Sequence, residues 1–332
     1  MLNTLKKLIK ISGVSGREHN LAEFIKTLLA DYCDRIERDT LGNLIAFKRG
    51  TAEKPKKVML AAHMDEIGFM TTFIEDSGLI RFGTIGGINF NAAAYSEVVF
   101  EQGIKGVLIP DKSVAPADYK ATKFYVDIGA RNKKEAERRV KIGDCFSLSP
   151  SLIRLCGERI AGRPFDDRIG CAILIDIAKK LKSCPDDVYF VFTVQEEVGC
   201  RGSKTAAFTI APDYAIAYDV TSTGDMPGAD PMAIKVGEGA AIKIKDASVI
   251  CDNRLVSLMQ KTAKENKIPF QNEILTAGGT DTSSMQVAGN GAVAGALSVP
   301  TRYIHSGVEL LDIKDAKACS ALTLALLANG LD

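Results

Sequence analysis

The chain has 332 residues, 46% of them apolar and 25% charged, with a formal net charge of +1. That length and apolar content suit one large domain, or a large domain with a smaller companion, and exclude a disordered chain. The near balance of charge gives no electrostatic case for nucleic acid or an anionic membrane surface as partner. At the start, Lys6, Lys7 and Lys10 interrupt the apolar residues, so no secretory leader is expected. No apolar run approaches the roughly 18 residues that span a bilayer, and a cytoplasmic protein is expected. Behind Ser15, a candidate N-cap, Leu21, Phe24, Ile25, Leu28 and Leu29 recur at helical spacing, which predicts a helix from Glu18 to Tyr32. A hairpin follows, with Leu41-Gly42-Asn43 turning between Arg35–Asp39 and Leu44–Lys48. Val58–Ala62 is a short continuous apolar run, the pattern of a strand buried on both faces. Between about 70 and 156 the chain becomes dense in short strand-like runs, Leu79–Phe82, Glu97–Phe100, Gly106–Ile109 and Phe124–Ile128, broken by Gly, Pro and Asn. A small β-rich domain inserted into an α/β host reads in this way. Helix and strand then alternate again. Ile169–Leu181 is an amphipathic helix, Val188–Val194 and Tyr214–Tyr218 are buried strands, Val293–Val299 is strand-like, and Ile313–Ala328 is a final helix. Alternation of this kind predicts an α/β layered sheet.

The chemistry gathers where buried strands end. Val58–Ala62 runs into His63-Met64-Asp65-Glu66, Val188–Val194 into Gln195-Glu196-Glu197, and Tyr214–Tyr218 into Asp219. Ligands of open α/β sheets bind outside the carboxyl ends of the strands, so three such endings suggest one shared site. Each feature alone has a plainer reading. His63 and Asp65 form a His-x-Asp pair, which is either a structural histidine or a metal-bound imidazole oriented by a carboxylate. Glu196 and Glu197 are two solvated glutamates in a turn, or a metal ligand beside a residue that reaches the water. Asp166-Asp167 precedes a helix and is either an N-cap or a ligand pair. His305, in Arg302-Tyr-Ile-His-Ser, follows the strand-like Val293–Val299 and Pro300. The chain has only three histidines. His19, on a charged helix start, reads as a surface residue. Cys200 follows the double glutamate without a spare histidine to activate it, which argues against a cysteine nucleophile. The eight cysteines contain no Cys-x-x-Cys pair, so neither a disulfide framework nor a zinc ribbon is expected, and Cys171 reads as a buried thiol in a reducing compartment.

Taken together, Ala62-His-Met-Asp-Glu-Ile-Gly-Phe69, Phe165-Asp-Asp-Arg-Ile-Gly-Cys171, Gln195-Glu-Glu-Val-Gly199, Tyr218-Asp219, Gly278-Gly-Thr-Asp281 and Arg302-Tyr-Ile-His-Ser306 resemble the tetrahedral-type aminopeptidases, a family of two-metal exopeptidases. The segments appear in the family's order and span most of the chain, and Tyr125-Val-Asp-Ile-Gly129 within the insertion is similar as well. The resemblance implies a metal-dependent aminopeptidase that hydrolyses N-terminal residues from peptides, with two divalent ions per chain, zinc or cobalt, or else manganese. It implies a three-layer mixed sheet with helices on both faces (1–69 and 157–332) and an inserted, β-barrel-like dimerisation domain (70–156). Asp166 would bridge both ions, His63 and Asp219 would complete one site, and Glu197 and His305 the other. Glu196 would be the general base, Asp65 the orienter of His63, and Gly279 and Asp281 would contact substrate. A homo-oligomer is implied, a dimer or a hollow dodecamer. The segment Ile88–Tyr95 lacks the tryptophan-containing stretch common in relatives, and Gly307 stands where proline is frequent. Competing readings are a two-metal carboxypeptidase or amino-acid deacylase, a glycosidase using paired carboxylates, and a non-enzymatic binding module.

Overall fold

A computed structural model describes residues 1–331. The continuous apolar runs form the parallel centre of a mixed sheet. Lys57–His63 lies between Asp187–Thr193 and Tyr214–Thr221, and Val293–Arg302 lies beyond the latter. Side chains alternate across this sheet. Val58, Leu60, Ala62, Phe190, Phe192, Ile216 and Tyr218 enter one buried cluster, while Met59, Ala61, Val191, Ala215 and Ala217 enter another. The first face is covered by helices Leu2–Leu8, His19–Leu29, Arg168–Lys180, Asn253–Glu265 and Ile313–Asn329, and the second by Arg201–Ile210 and Thr282–Gln286. Burial on both faces is why these strands carry no polar alternation. The result is the expected three-layer α/β architecture.

Antiparallel strands extend both flanks. The expected hairpin is present as Arg35–Arg38 and Leu44–Lys48, and its turn is closed by the Asp39 carboxylate, which accepts from the N–H groups of Gly42 and Asn43 at 2.8 and 2.9 Å. On the far side lie Glu309–Asp312, Arg159–Arg163 and Ser151–Arg154, giving, with the branch Ala240–Lys245 and Phe270–Ile274, eleven strands among the described residues. One local expectation is corrected. The second helix begins at His19, after Glu18, and Ser15 does not cap it. The Ser15 hydroxyl instead donates to Asp65 Oδ2 at 2.6 Å, a stronger charge-assisted partner than a helix N–H.

The short strands of the insertion close on themselves. Gly68–Ile74, Ile80–Ile85, Phe124–Asp127, Lys105–Pro110, Glu97–Phe100 and Cys145–Leu148 form a six-stranded barrel, in that order around the wall. Closure removes the exposed edges that so many short strands would otherwise present. Phe69, Phe82, Phe100, Phe124 and Phe146 fill its interior, with Phe69 stacked on Phe146 at 5.0 Å and set edge-on to Phe82 at 4.9 Å. No helix among the described residues is long and apolar enough to cross a membrane, and all eight cysteines are free.

Candidate metal centre

The register of the parallel strands brings the predicted residues to one edge. Thr193 pairs with His63, so the Gln195-Glu196-Glu197 turn emerges beside that histidine, and Asp219 sits in register with Ser298 on the strand that leads to His305. Asp166 arrives from the far flank, on the loop between Arg159–Arg163 and helix Arg168–Lys180. His63 Nε2 is 3.1 Å from Asp166 Oδ1, 3.8 Å from Asp219 Oδ1 and 4.0 Å from Glu196 Oε2. His305 Nε2 is 3.2 Å from Asp166 Oδ2 and 3.3 Å from Glu197 Oε2. Two groups of ligand-type atoms therefore share one carboxylate, and each of its oxygens faces a different imidazole. The neighbouring Asp167 behaves differently. Its Oδ1 caps the helix by accepting the Gly170 N–H at 2.9 Å, although an oxygen of the same carboxylate lies near enough to His63 and Asp219 to join a cation group.

The electrostatics call for cations. Burial raises the carboxyl of Asp219, raises that of Glu196 well above its usual range, and lifts Glu197 to about 7, with Asp166 adding to the effect on Glu197. Burial also opposes a charge on His305, yet Asp166 and Glu197 overcome it and push that imidazole up to about 11. His63 is raised well above its ordinary value against the same penalty, and the two histidines hold Asp166 low despite its burial. Protons on the imidazoles thus stand in for positive charge that the carboxylates need. Glu197 Oε1 and Asp167 Oδ2 are buried with no hydrogen-bond partner, which is costly unless a cation takes that place. The donor set of two imidazole nitrogens with carboxylate oxygens fits divalent transition ions.

Buried carboxylates behind the centre hold its loops, and the sequence reading had missed most of them. Asp65, fully buried, does more than face His63. Its two oxygens accept the N–H groups of Glu196 and Glu197 at 2.9 and 3.1 Å, so it sets the backbone of the double-glutamate turn. His63 Nδ1 lies 3.1 Å from the Asp65 carbonyl and 3.6 Å from its Oδ1. Glu309 Oε2 accepts from the N–H groups of Phe165 and Asp166 at 2.5 and 3.2 Å and so positions the shared aspartate. Burial, then the Asp166 charge, pushes Glu309 up to about 8. Glu18 Oε1 accepts the Gln195 N–H at 3.0 Å, and Asn43 Oδ1 accepts the Val194 N–H at 3.0 Å. Glu66 lies 3.3 Å from both Arg163 and Arg168, two fully buried guanidiniums that flank the Asp166-Asp167 turn. Gln195, Tyr303 and His305 have φ of 57°, 63° and 60°. Left-handed backbone at such residues costs about 1 kcal/mol or more each, which these anchors must offset.

A cavity of about 530 Å³ opens onto the centre and is lined by His63, Asp166, Glu196, Glu197, Asp219 and His305. Gly279 forms part of its wall, together with Gly278 and Thr280. Asp281 is a correction: it is 3% exposed, does not line the cavity, and accepts the Thr193 hydroxyl at 2.6 Å. The barrel reaches the site as well. At Gly86, where φ is 76°, a Cβ would come within 3.3 Å of the Glu197 side chain, and at Gly87 one would come within 3.4 Å of His305 Nδ1. The rim of the barrel thus packs against the second histidine, and at Gly86 the positive φ and the close approach of Ile67 and Glu197 favour glycine. His19 is exposed beside Arg38 and takes no part, as expected of a surface histidine. The buried Cys171 donates its thiol to the His63 carbonyl at 3.1 Å.

Comparison with known proteins is decisive for the family. Residues 42–322 match the family described as M42 glutamyl aminopeptidase. The chain belongs to that family. An inferred aminopeptidase of Acetivibrio thermocellus is 46% identical over 95% of this chain and 94% of its own length. Among solved structures, an aminopeptidase from the archaeon Desulfurococcus kamchatkensis superposes with a TM-score of 0.94 at 34% identity, over 98% of this chain and 94% of the other. A TET peptidase of Pyrococcus horikoshii, described as able to assemble into a tetrahedron or a large octahedral shell, gives a TM-score of 0.85 at 34% identity over 99% of each chain. The chain is a metal-dependent aminopeptidase, a peptide hydrolase, and its fold is that of these structures.

Proposed function

We propose that this aminopeptidase uses two divalent ions bound by His63, Asp166 and Asp219 on one side and by His305, Asp166 and Glu197 on the other. The observation that carries the reading is the division of the Asp166 carboxylate, one oxygen 3.1 Å from His63 and the other 3.2 Å from His305. Two bound ions would acidify a bound water and polarise the scissile carbonyl. Glu196, with Oε2 at the edge of the centre, takes the proton of the attacking water and returns it to the leaving amine. Asp65 serves as a positioning residue. It faces Nδ1 of His63, so that Nε2 points to the centre, and it holds the backbone that presents Glu196 and Glu197. Gly279 in the cavity wall contacts the substrate. Nitrogen and oxygen donors in these numbers suit zinc or cobalt, with manganese as the alternative. A glycosidase built on paired carboxylates would have no use for an imidazole on either side of Asp166.

Chelator treatment is expected to abolish hydrolysis of aminoacyl anilides, and Zn²⁺, Co²⁺ or Mn²⁺ to restore it, with two ions bound per chain. A panel that includes N-blocked peptides separates this reading from a carboxypeptidase or deacylase, because a free amino terminus is required here. Full activity in protein shown to be free of metal would sink the two-ion reading.

The insertion of residues 70–156, whose barrel begins at Gly68 and whose last strand, Ser151–Arg154, joins the main sheet, is proposed as the dimerisation domain, and its dimers are expected to build a closed shell of the kind described for the Pyrococcus horikoshii peptidase. Exposed Phe73, Tyr95 and Val107 on the barrel support an interface there. Light scattering at micromolar concentration should return a dimer or a larger closed assembly, and a monomer would remove the interface. A reducing cytoplasm suits the eight free thiols.

A further inference from the structure

Glu196 Oε2 lies 4.0 Å from His63, and its other oxygen, Oε1, is where a further group of three ligand-type side chains, Glu196 included, comes together. The Cys200 thiol donates to Glu196 Oε1 at 3.2 Å, and a carboxylate oxygen of Asp281 lies within 4.8 Å of the ligand atoms of both. We propose that Cys200, Glu196 and Asp281 form a third cation site that takes a soft divalent ion, Zn²⁺ or Cd²⁺, and in doing so withdraws Glu196 from the reaction.

Three observations carry this. The first is spacing. A metal about 2.3 Å from sulfur and about 2.0 Å from oxygen holds its ligand atoms about 3.5 Å apart, so the thiol and Glu196 Oε1 already stand near that separation. The second is an unsatisfied group. Asp281 is 3% exposed, and its Oδ1 has no hydrogen-bond partner although the Thr193 hydroxyl satisfies Oδ2. A thiol that merely orients Glu196 would account for the 3.2 Å contact but not for the unpaired Oδ1 of the neighbouring buried Asp281. The third is access. Cys200 lines the same 530 Å³ cavity as Glu196, so an ion can enter by the route the substrate uses. Cys200 precedes helix Arg201–Ile210 without capping it through its side chain, so the helix makes no claim on the sulfur that meets Glu196.

The chemistry sets the selectivity. Binding releases the thiol proton to solvent, and the resulting thiolate favours Zn²⁺ and Cd²⁺ over Mg²⁺ and Ca²⁺. With Oε1 of Glu196 coordinated, the carboxylate no longer takes the proton of the attacking water. The consequence for rate rests on the assignment of Glu196 as general base, whereas the binding does not.

Cadmium tests the site directly. Protein stripped and reloaded with two equivalents of cadmium per chain should bind one more, with a thiolate-to-cadmium charge-transfer absorption in the ultraviolet. Cys200→Ala should lose both the absorption and the extra equivalent while retaining the first two, and Asp281→Asn should weaken the extra binding by about tenfold or more. Failure of the absorption to appear in the wild type, or its persistence in Cys200→Ala, overturns the site. In a parallel measurement on zinc-loaded enzyme, excess zinc should slow hydrolysis by about tenfold or more, and Cys200→Ala should relieve this relative to its own starting rate. A third ion that binds with its thiolate signature yet leaves the rate unchanged upholds the site and overturns the role of Glu196 in proton transfer.

Discussion

Glu196→Gln is expected to keep its fold and its metal complement while kcat falls by about a hundredfold or more. The amide is nearly isosteric with the carboxylate, and the features that place the residue do not depend on its charge. The Glu196 N–H still donates to Asp65, and the turn is still held through Gln195 by Glu18. What is lost is a basic oxygen at the edge of the centre, 4.0 Å from His63 Nε2. KM should change little, since Glu196 is assigned to the proton and not to substrate binding. Metal analysis of the purified variant is the control that gives the kinetics their meaning. A fall in bound metal in place of the fall in kcat would exchange the roles of Glu196 and Glu197.

The second large effect is expected at the shared carboxylate. Asp166→Asn replaces one of two anionic oxygens with an amide nitrogen that cannot ligate a cation. Because each oxygen of Asp166 faces a different histidine, one ion position loses its ligand atom and the other keeps only a neutral amide oxygen in place of the shared anion. Metal content should therefore drop at both positions, and activity with it. Asp167→Asn is the matched control. Asparagine caps a helix about as well as aspartate, so the bond to the Gly170 N–H survives and most of the metal should remain. Quantifying bound zinc in both variants decides the matter, and a larger loss in Asp167→Asn would move the bridge by one residue, to the carboxylate that already lies near His63 and Asp219.

Why some of this was legible in the sequence and some was not follows from the range of the interactions involved. The central strands announced themselves because a strand covered on both faces must be apolar at every position, and Val58–Ala62, Val188–Val194 and Tyr214–Tyr218 are. Their ligand-type endings fall at one edge because parallel neighbours share a direction, which the α/β alternation already implies. The short strands of the insertion were visible as a group, but closure into a barrel was not, since it depends on pairings such as Phe69 with Phe146 between segments far apart in the chain. Phe270–Ile274 was overlooked for a related reason: its Gln-Asn-Glu interior has no apolar periodicity, and it is a strand only because Ala240–Lys245 offers it a partner.

The site divides along the same line. The sequence by itself determined that ligand-type side chains end the buried strands, at His63, Glu196, Glu197 and Asp219, a local and recognisable pattern, and the family resemblance added Asp166 and His305. Only the tertiary structure decided how they are held and which of them look at each other. The Asp166 N–H donates to a glutamate 143 residues away, the Glu196 N–H to an aspartate 131 residues away, and Asp281 turns from the cavity toward Thr193 across 88 residues. A backbone N–H is the same group at every position and leaves no mark in composition or periodicity. Its acceptor is chosen by whichever carboxylate the fold buries beside it, where an unpaired polar group would be too costly to leave.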